Sequence, residues 1–255
     1  MTGTTRRTSK WSLVALLLAA ALATTALAQQ YGGSGGSRQV AEYTLSERKE
    51  GRPTAARLLV DYQNPDDPEA KPPAVRKVVT VLPKRGRFDP SVPGSCTATD
   101  AELMAQGAAA CPEESAIGGG VVTVDTGFPG PGRIVTADVE FFNNAEDPDG
   151  EFIFLNTVRD SGARTVIRAD LTRRRTITDA GMLPGTPPDG GAIDTVDVSV
   201  AEVSRRIDGE RQAYVTTPGR CPPDRTWTTR VRFTYADGVS QVVPTENHCR
   251  RRSGG

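Results

Sequence analysis

Between Trp227 and Tyr235 the residues alternate in kind. Trp227, Thr229, Val231, Phe233 and Tyr235 fall on one side of an extended chain; Thr228, Arg230, Arg232 and Thr234 fall on the other. Successive strand side chains point to opposite faces, so the pattern predicts a strand packed on one side and wet on the other. Asp237-Gly238 follows, a hairpin signal, because type I′ turns need positive φ at both central residues. Residues 239–243 read as the return strand, and a two-residue loop sets Phe233 against Val242. A lone hairpin is marginal in water, so this one must pack on more sheet.

Further strands are expected at 56–62, 75–82, 117–124, 135–142, 152–158, 165–171 and 193–203. Phe152 to Leu155 are apolar on both faces, which suggests a central strand covered on both sides. Asp160-Ser161-Gly162 and Asp208-Gly209 read as hairpin turns. One helix is expected, from Thr99 to Gly107. Thr99 can cap it, Glu102 sits three residues later, and Gly107 can end it. Two turns do not hold alone, and Cys96 and Cys111 flank them. Many short strands with one short helix predict an all-β, Ig-like sandwich.

Residues 183–191 are rich in Pro and Gly and form the best internal linker. A single sandwich is preferred to two small domains, because the last strands are too few to stand alone. Residues 38–53 are polar and without clear period. The chain therefore divides into a leader (1–28), a flexible linker with an unassigned polar segment (29–53), one β-sandwich (54–249) and a disordered basic tail (250–255).

The segment 1–28 looks like a secretory signal peptide. Arg6, Arg7 and Lys10 make the positive region, residues 13–23 the apolar run, and Ala26-Leu27-Ala28 the cleavage site. Arg6-Arg7 raises a twin-arginine route, but Thr8-Ser9-Lys10 does not complete that signal, so general secretion is expected. No later apolar run reaches the ~18 residues of a membrane span. The chain carries 31 Lys+Arg and 31 Asp+Glu. Losing the leader's three cations leaves it slightly acidic, which argues against a dedicated nucleic-acid binder.

Four cysteines in an exported chain suggest two disulfides, with three possible connectivities. Neighbour pairing, Cys96 with Cys111 and Cys221 with Cys249, is the expectation adopted. Structural zinc is disfavoured by the lack of any Cys-x-x-Cys and by a single histidine. No cofactor is expected.

A wider pattern is present. Val78 to Leu82 with Pro83, then Cys96, the short helix, Cys111-Pro112, Ser115 and Gly118 to Gly120 form its first part. Cys221-Pro222, Trp227, Phe233, Tyr235, Asp237-Gly238 and Cys249 form its close. This layout resembles an uncharacterised group of exported proteins of high-GC Gram-positive bacteria, with a Cys-helix-Cys-Pro segment and a C-terminal Trp…Tyr-x-Asp-Gly…Cys hairpin. The likeness covers most of residues 75–249. It implies secretion and a β fold, and it lends no activity and no site.

The candidate chemistry is thin. His248 is the only histidine and sits beside Cys249, a poor place for a catalytic base that needs a cleft and an orienting partner. Carboxylate-dependent glycoside hydrolysis needs no histidine. Glu140 and Glu151 are its best pair, with Asp138 beside Glu140 on one strand face; exposed strand carboxylates are the bland alternative. Sugar sites also favour aromatic platforms, and one of the two Trp is Trp11 in the leader. Asp147, Asp149 and Glu151 form part of a calcium loop without its 12-residue spacing, and ordinary turn chemistry explains them as well. Asp61, Asn64, Asp66 and Asp67 make a weaker set. Gly118-Gly119-Gly120 lacks the lysine of a phosphate loop and reads as a bulge or tight strand entry. Arg173 to Arg175 and Arg250 to Arg252 are short basic runs that suit an anionic envelope polymer or, more blandly, solvent. The expected function is a secreted, non-catalytic binding or structural module, its partner an envelope polymer or extracellular protein. A hydrolase and a calcium-stabilised adhesin are the alternatives.

Overall fold

The computed structural model describes residues 36–145 and 150–251. The expected leader, the spacer through residue 35 and the last four tail residues lie outside that range. The strands β1 (Gln39–Leu45), β2 (Ala56–Tyr62), β3 (Val75–Val81) and the two-residue β4 (Arg87–Phe88) come first. Helix α1 (Asp100–Gln106) leads into β5 (Ala116–Asp125), β6 (Ile134–Asn144), β7 (Glu151–Val158), β8 (Arg164–Thr172) and β9 (Arg175–Asp179). The chain continues through β10 (Ala192–Val200), β11 (Ser204–Ile207), β12 (Glu210–Ala213), β13 (Val215–Thr216), β14 (Thr226–Tyr235) and β15 (Ser240–His248).

The fold is all-β with one short helix. Eleven strands form one sheet in the order β1-β2-β10-β5-β6-β7-β8-β9-β3-β14-β15. Every ladder is antiparallel. A twisted sheet this wide curls rather than staying open. Here it curls until its edges, β1 and β15, lie side by side. The sandwich is therefore one sheet folded on itself, not two sheets.

Among the described residues no backbone ladder joins those two edges. Buried amide side chains of β15 bridge them instead. Asn247 accepts from the Leu45 N–H at 2.8 Å and donates to the Tyr43 carbonyl at 2.8 Å. Gln241 accepts from the Arg38 N–H at 3.1 Å and donates to the Gly36 carbonyl at 3.1 Å. Both bridges run in chain order, so β1 and β15 are parallel. Past the strands, the Arg250 N–H donates to the Arg48 carbonyl at 2.7 Å. Tyr235 donates its hydroxyl to Gln39, and Arg38 pairs with Asp237 at 2.8 Å. Pro244 lies in β15, a position an edge strand tolerates because a proline has no N–H to give a ladder.

The inner face buries one apolar cluster drawn from β1, β2, β6, β7, β8, β10 and β14. The Phe141 and Phe152 rings meet edge-on at 5.1 Å, and Phe152 lies 6.4 Å from Tyr214. Tyr214 and Val215 come from the segment that closes one end of the sheet, where β13 pairs with β4. A second cluster lies outside the sheet, where Leu103 of α1 covers Phe142, Ile153 and Leu155. That cover is why β7 is apolar on both faces. Thr99 caps α1 reciprocally with Glu102, and Gly107 ends it at φ 69°.

Both disulfides join sequence neighbours. Cys96 bonds Cys111 beside the second cluster, and Cys221 bonds Cys249 in the main core next to Trp227. The triple glycine enters β5 through a register shift, where strands approach closely: a Cβ on Gly120 would stand 2.0 Å from the Asp197 carbonyl oxygen. Residues 183–191 connect two strands of the same sheet, β9 and β10, and so divide no domains.

Three sequence expectations need correction. The closing hairpin turns through three residues, not two. The Tyr235 N–H donates to the Val239 carbonyl, the Gly238 N–H donates back to the Tyr235 carbonyl, and within the turn Gly238 has positive φ. Phe233 therefore faces Gln241, and Arg232 faces Val242. That one-residue slip turns Gln241, Val243, Thr245 and Asn247 inward. Second, β1 lies within the segment 29–53 that the sequence assigns to linker and unassigned chain, so the sheet begins at Gln39. Third, Arg250 belongs to the seam between β1 and β15 rather than to a loose tail.

Substituting Asn247→Leu orphans one buried amide and one carbonyl, at roughly 1–3 kcal/mol each. Denaturant unfolding should show a loss of about 3 kcal/mol. Substituting Glu246→Gln, on the outer face of the same strand, should change stability by under ~0.5 kcal/mol.

Candidate functional site

The strand ends opposite the β4–β13 closure carry a candidate cleft of about 280 Å³. It is small and open beside the ~300–1,000 Å³ of ordinary ligand pockets. Asp125 ends β5 and is buried, with Arg133 Nε at 3.1 Å and the Gly127 N–H at 2.8 Å. Arg133 also donates to the Glu69 carbonyl at 2.7 Å. Asp194 accepts from the Thr123 hydroxyl at 3.0 Å. Tyr62, Pro68, Pro72 and Ile134 complete the walls. The two aspartates are engaged by neighbouring residues, so the cleft is braced rather than poised for proton transfer.

The glutamates offered for hydrolysis do not converge. Glu140 is opposite Leu155 and Glu151 is opposite Asn144, so both face outward. Four residues separate their rows, about 13 Å at ~3.4 Å per residue, beyond the ~5–9.5 Å of glycosidase pairs. The helix-covered pair Phe142 and Ile153 lies between them. Glu151 is also engaged: Arg168 lies at 2.8 Å and the Asn144 amide at 3.1 Å. Asp138, the third carboxylate, is held by Arg159 at 2.7 Å.

Of the calcium set, Asp147 and Asp149 lie outside the described residues, and Glu151 is turned to Arg168. Among the described residues no group of three or more His, Cys, Asp or Glu side chains is placed to hold a metal. Of the weaker set, Asp61 is a paired residue of β2, and Asn64, Asp66 and Asp67 are local turn chemistry, Asn64 accepting from the Asp66 N–H at 3.1 Å. His248 ends β15 on the exposed face opposite Thr226. Its neighbour Cys249 is in a disulfide, so no thiol nucleophile stands beside it.

Arg168, which no sequence motif singles out, organises the helix instead. Its guanidinium reaches Asp100 at 2.7 Å, Glu151 at 2.8 Å and the Ala98 carbonyl at 2.7 Å. Arg164 donates to the Met104 and Ala105 carbonyls near the C-terminal end of α1, where a cation also suits the helix dipole. Both arginines lie on β8, so the sheet holds α1 at each end. Only the outward alternation of Arg164, Val166 and Arg168 hints at this.

Charge shifts follow the same pairing. The carboxyls of Asp138, Asp197 and Asp237 are held below their ordinary range by hydrogen bonds from Arg159, Arg57 and Arg38. Backbone N–H groups do the same for Glu47, that of Lys49 first. Burial pushes the phenols of Tyr62 and Tyr214 far up. Comparison of the chain with protein families, with curated proteins and with solved structures gives no match.

The three lowered aspartates predict acid sensitivity. Their contribution is present above the unfolded value of about 3.9 and is lost as pH falls through the lower folded values. Melting scans at pH 7 and pH 2.5 should show the drop. Substituting Asp237→Asn should lower the melting temperature at pH 7 and leave that at pH 2.5 nearly unchanged.

Proposed function

We propose that the chain is an exported, non-catalytic module that works by binding or by structure in the cell envelope or outside the cell. The observation that supports it most is the use of sulfur. All four cysteines are paired; Cys96, Cys221 and Cys249 are buried, and Cys111 is half-buried against the second cluster. A fold built on two such cystines belongs in an oxidising compartment. Closing the two loops restricts the unfolded chain by about 3 kcal/mol each on loop-closure entropy. The leader-like segment 1–28 agrees with this placement.

The non-catalytic half rests on where the charges go. Of the carboxylates that a hydrolase would need, Asp138 and Glu151 are bound to arginines, and Glu140 lies four residues from Glu151 along the ladder, too far to act with it. A module of this kind presents a rigid surface, and its specificity lies in surface charge and shape.

The test is expression of the full chain in a secreting Gram-positive host. The protein should appear in the medium or wall fraction with Gln29 at its N-terminus. Its four cysteines should resist alkylation until reduced, and a peptide map should return the two neighbour pairs. A cytosolic chain that keeps its leader and alkylates without reduction would contradict the reading.

A further inference from the structure

Arg173 to Arg175 and Arg250 lie far apart in the chain and arrive at the same end of the sheet. Arg173 and Arg174 form the β8–β9 turn, and the Phe88 and Leu82 N–H groups donate to their respective carbonyls. Lys84 and Arg85 follow Leu82 closely and are exposed. From β9 the sheet passes only through β3 and β14 before it reaches β15. Beyond β15, Arg250 bonds the backbone of Arg48, and Arg225 bonds that of Cys249. Arg52 is tied to Thr217 beside them.

These cations enter none of the close ion pairs among the described residues, although Arg211 pairs with Glu202 at the same end. At the opposite end Arg38, Lys77, Arg133 and Arg159 each pair with an aspartate. At the closed end the runs 173–175, 84–85 and 48–49 enter no ion pair among the described residues. Two acids nearby accept backbone N–H groups, and Glu47 also feels the charges of Lys49 and Arg52. Glu47 accepts from the Arg48 and Lys49 N–H groups, and Glu50 accepts from the Cys221 N–H.

We infer that this disulfide-closed, arginine-rich end binds an anionic polymer of the cell envelope, of the phosphodiester or uronate kind. The inference rests on the export reading for its location. Two features select a polymer without bases. The cations come from the separate segments 48–52, 84–85, 173–175, 225 and 250, so a chain of charges engages them better than a single anion does. Among the described residues the exposed large apolar side chains are Val40, Met104, Phe128, Ile134 and Met182, and none belongs to this end, so nothing there stacks on bases or inserts into lipid. Guanidinium groups match phosphate and carboxylate oxygens in pairs.

The experiment is a titration of residues 29–255 against labelled poly(glycerol phosphate) and, separately, labelled polygalacturonate, at 50 and 200 mM salt. Binding to at least one is expected, and the stronger of the two identifies the source. Substituting Arg173, Arg174 and Arg175→Gln together should weaken it at least about tenfold and lower the salt slope by about two, at ~0.7 per lost contact. Substituting Arg48 and Lys49→Gln gives a second, independent weakening. Substituting Arg159→Gln, at the other end, should leave binding unchanged, and melting curves report whether each variant folds. No binding to either polymer at 50 mM salt overturns the inference, as does binding that neither variant weakens. Equal affinity for duplex DNA or for vesicles of anionic lipid overturns it too. A chain that is secreted and fails to bind removes this inference alone, whereas one that binds in vitro and stays in the cytosol removes the export reading alone.

Discussion

A sheet of eleven strands has two edges to hide, and this one hides each with the other. Because β1 and β15 meet in parallel without a ladder, side chains of β15 must supply the hydrogen bonds that backbone groups would otherwise exchange. Asn247 and Gln241 do so at two levels of the seam. The rest of the structure depends on that closure. It sets which face of β15 turns inward, and it brings Tyr235 to Gln39 and Asp237 to Arg38. It also encloses the apolar cluster around Tyr214.

Covalent and ionic restraints are added where the closed sheet is weakest. The chain's return after β15 is stapled to the loop before β14 by Cys221 and Cys249, beside Trp227. The short helix, which could not stand alone, is held by Cys96–Cys111 and by two arginines of β8. Ionisable groups that might have served chemistry serve these attachments. The arginine-rich rim of the closed end is different: its runs 173–175, 84–85 and 48–49 enter no close ion pair among the described residues, although Arg174 donates to the Leu82 carbonyl.

Much of this is legible in the sequence, and the misses share a cause. The strand of Trp227 to Tyr235, the capped helix and the twin-sided burial of Phe152 to Leu155 obey the usual binary pattern, so periodicity finds them. β1 escapes because its first two residues invert that pattern, Gln39 pointing in and Val40 pointing out at 63 % exposure, while Ala41, Tyr43 and Leu45 keep it. The seam explains both, since Gln39 meets Tyr235 across it. The same seam explains the turn. Asp237-Gly238 alone suggests a two-residue loop, yet only the three-residue form turns Gln241 and Asn247 inward to face β1. Long-range partners of polar residues are invisible to local patterns. The glutamate pair fails for a related reason: alternation puts Asp138 and Glu140 on one face, but only the register shows the four-residue gap to Glu151 and the helix between.

The closure is most directly tested by native-state hydrogen exchange followed amide by amide. If side-chain amides seal the sheet, the Leu45 N–H should exchange only on global unfolding, as slowly as the Val231 N–H in the centre of β14. Rapid exchange at Leu45 with Val231 still protected would mean that β1 and β15 are open edges and that the sheet is not closed.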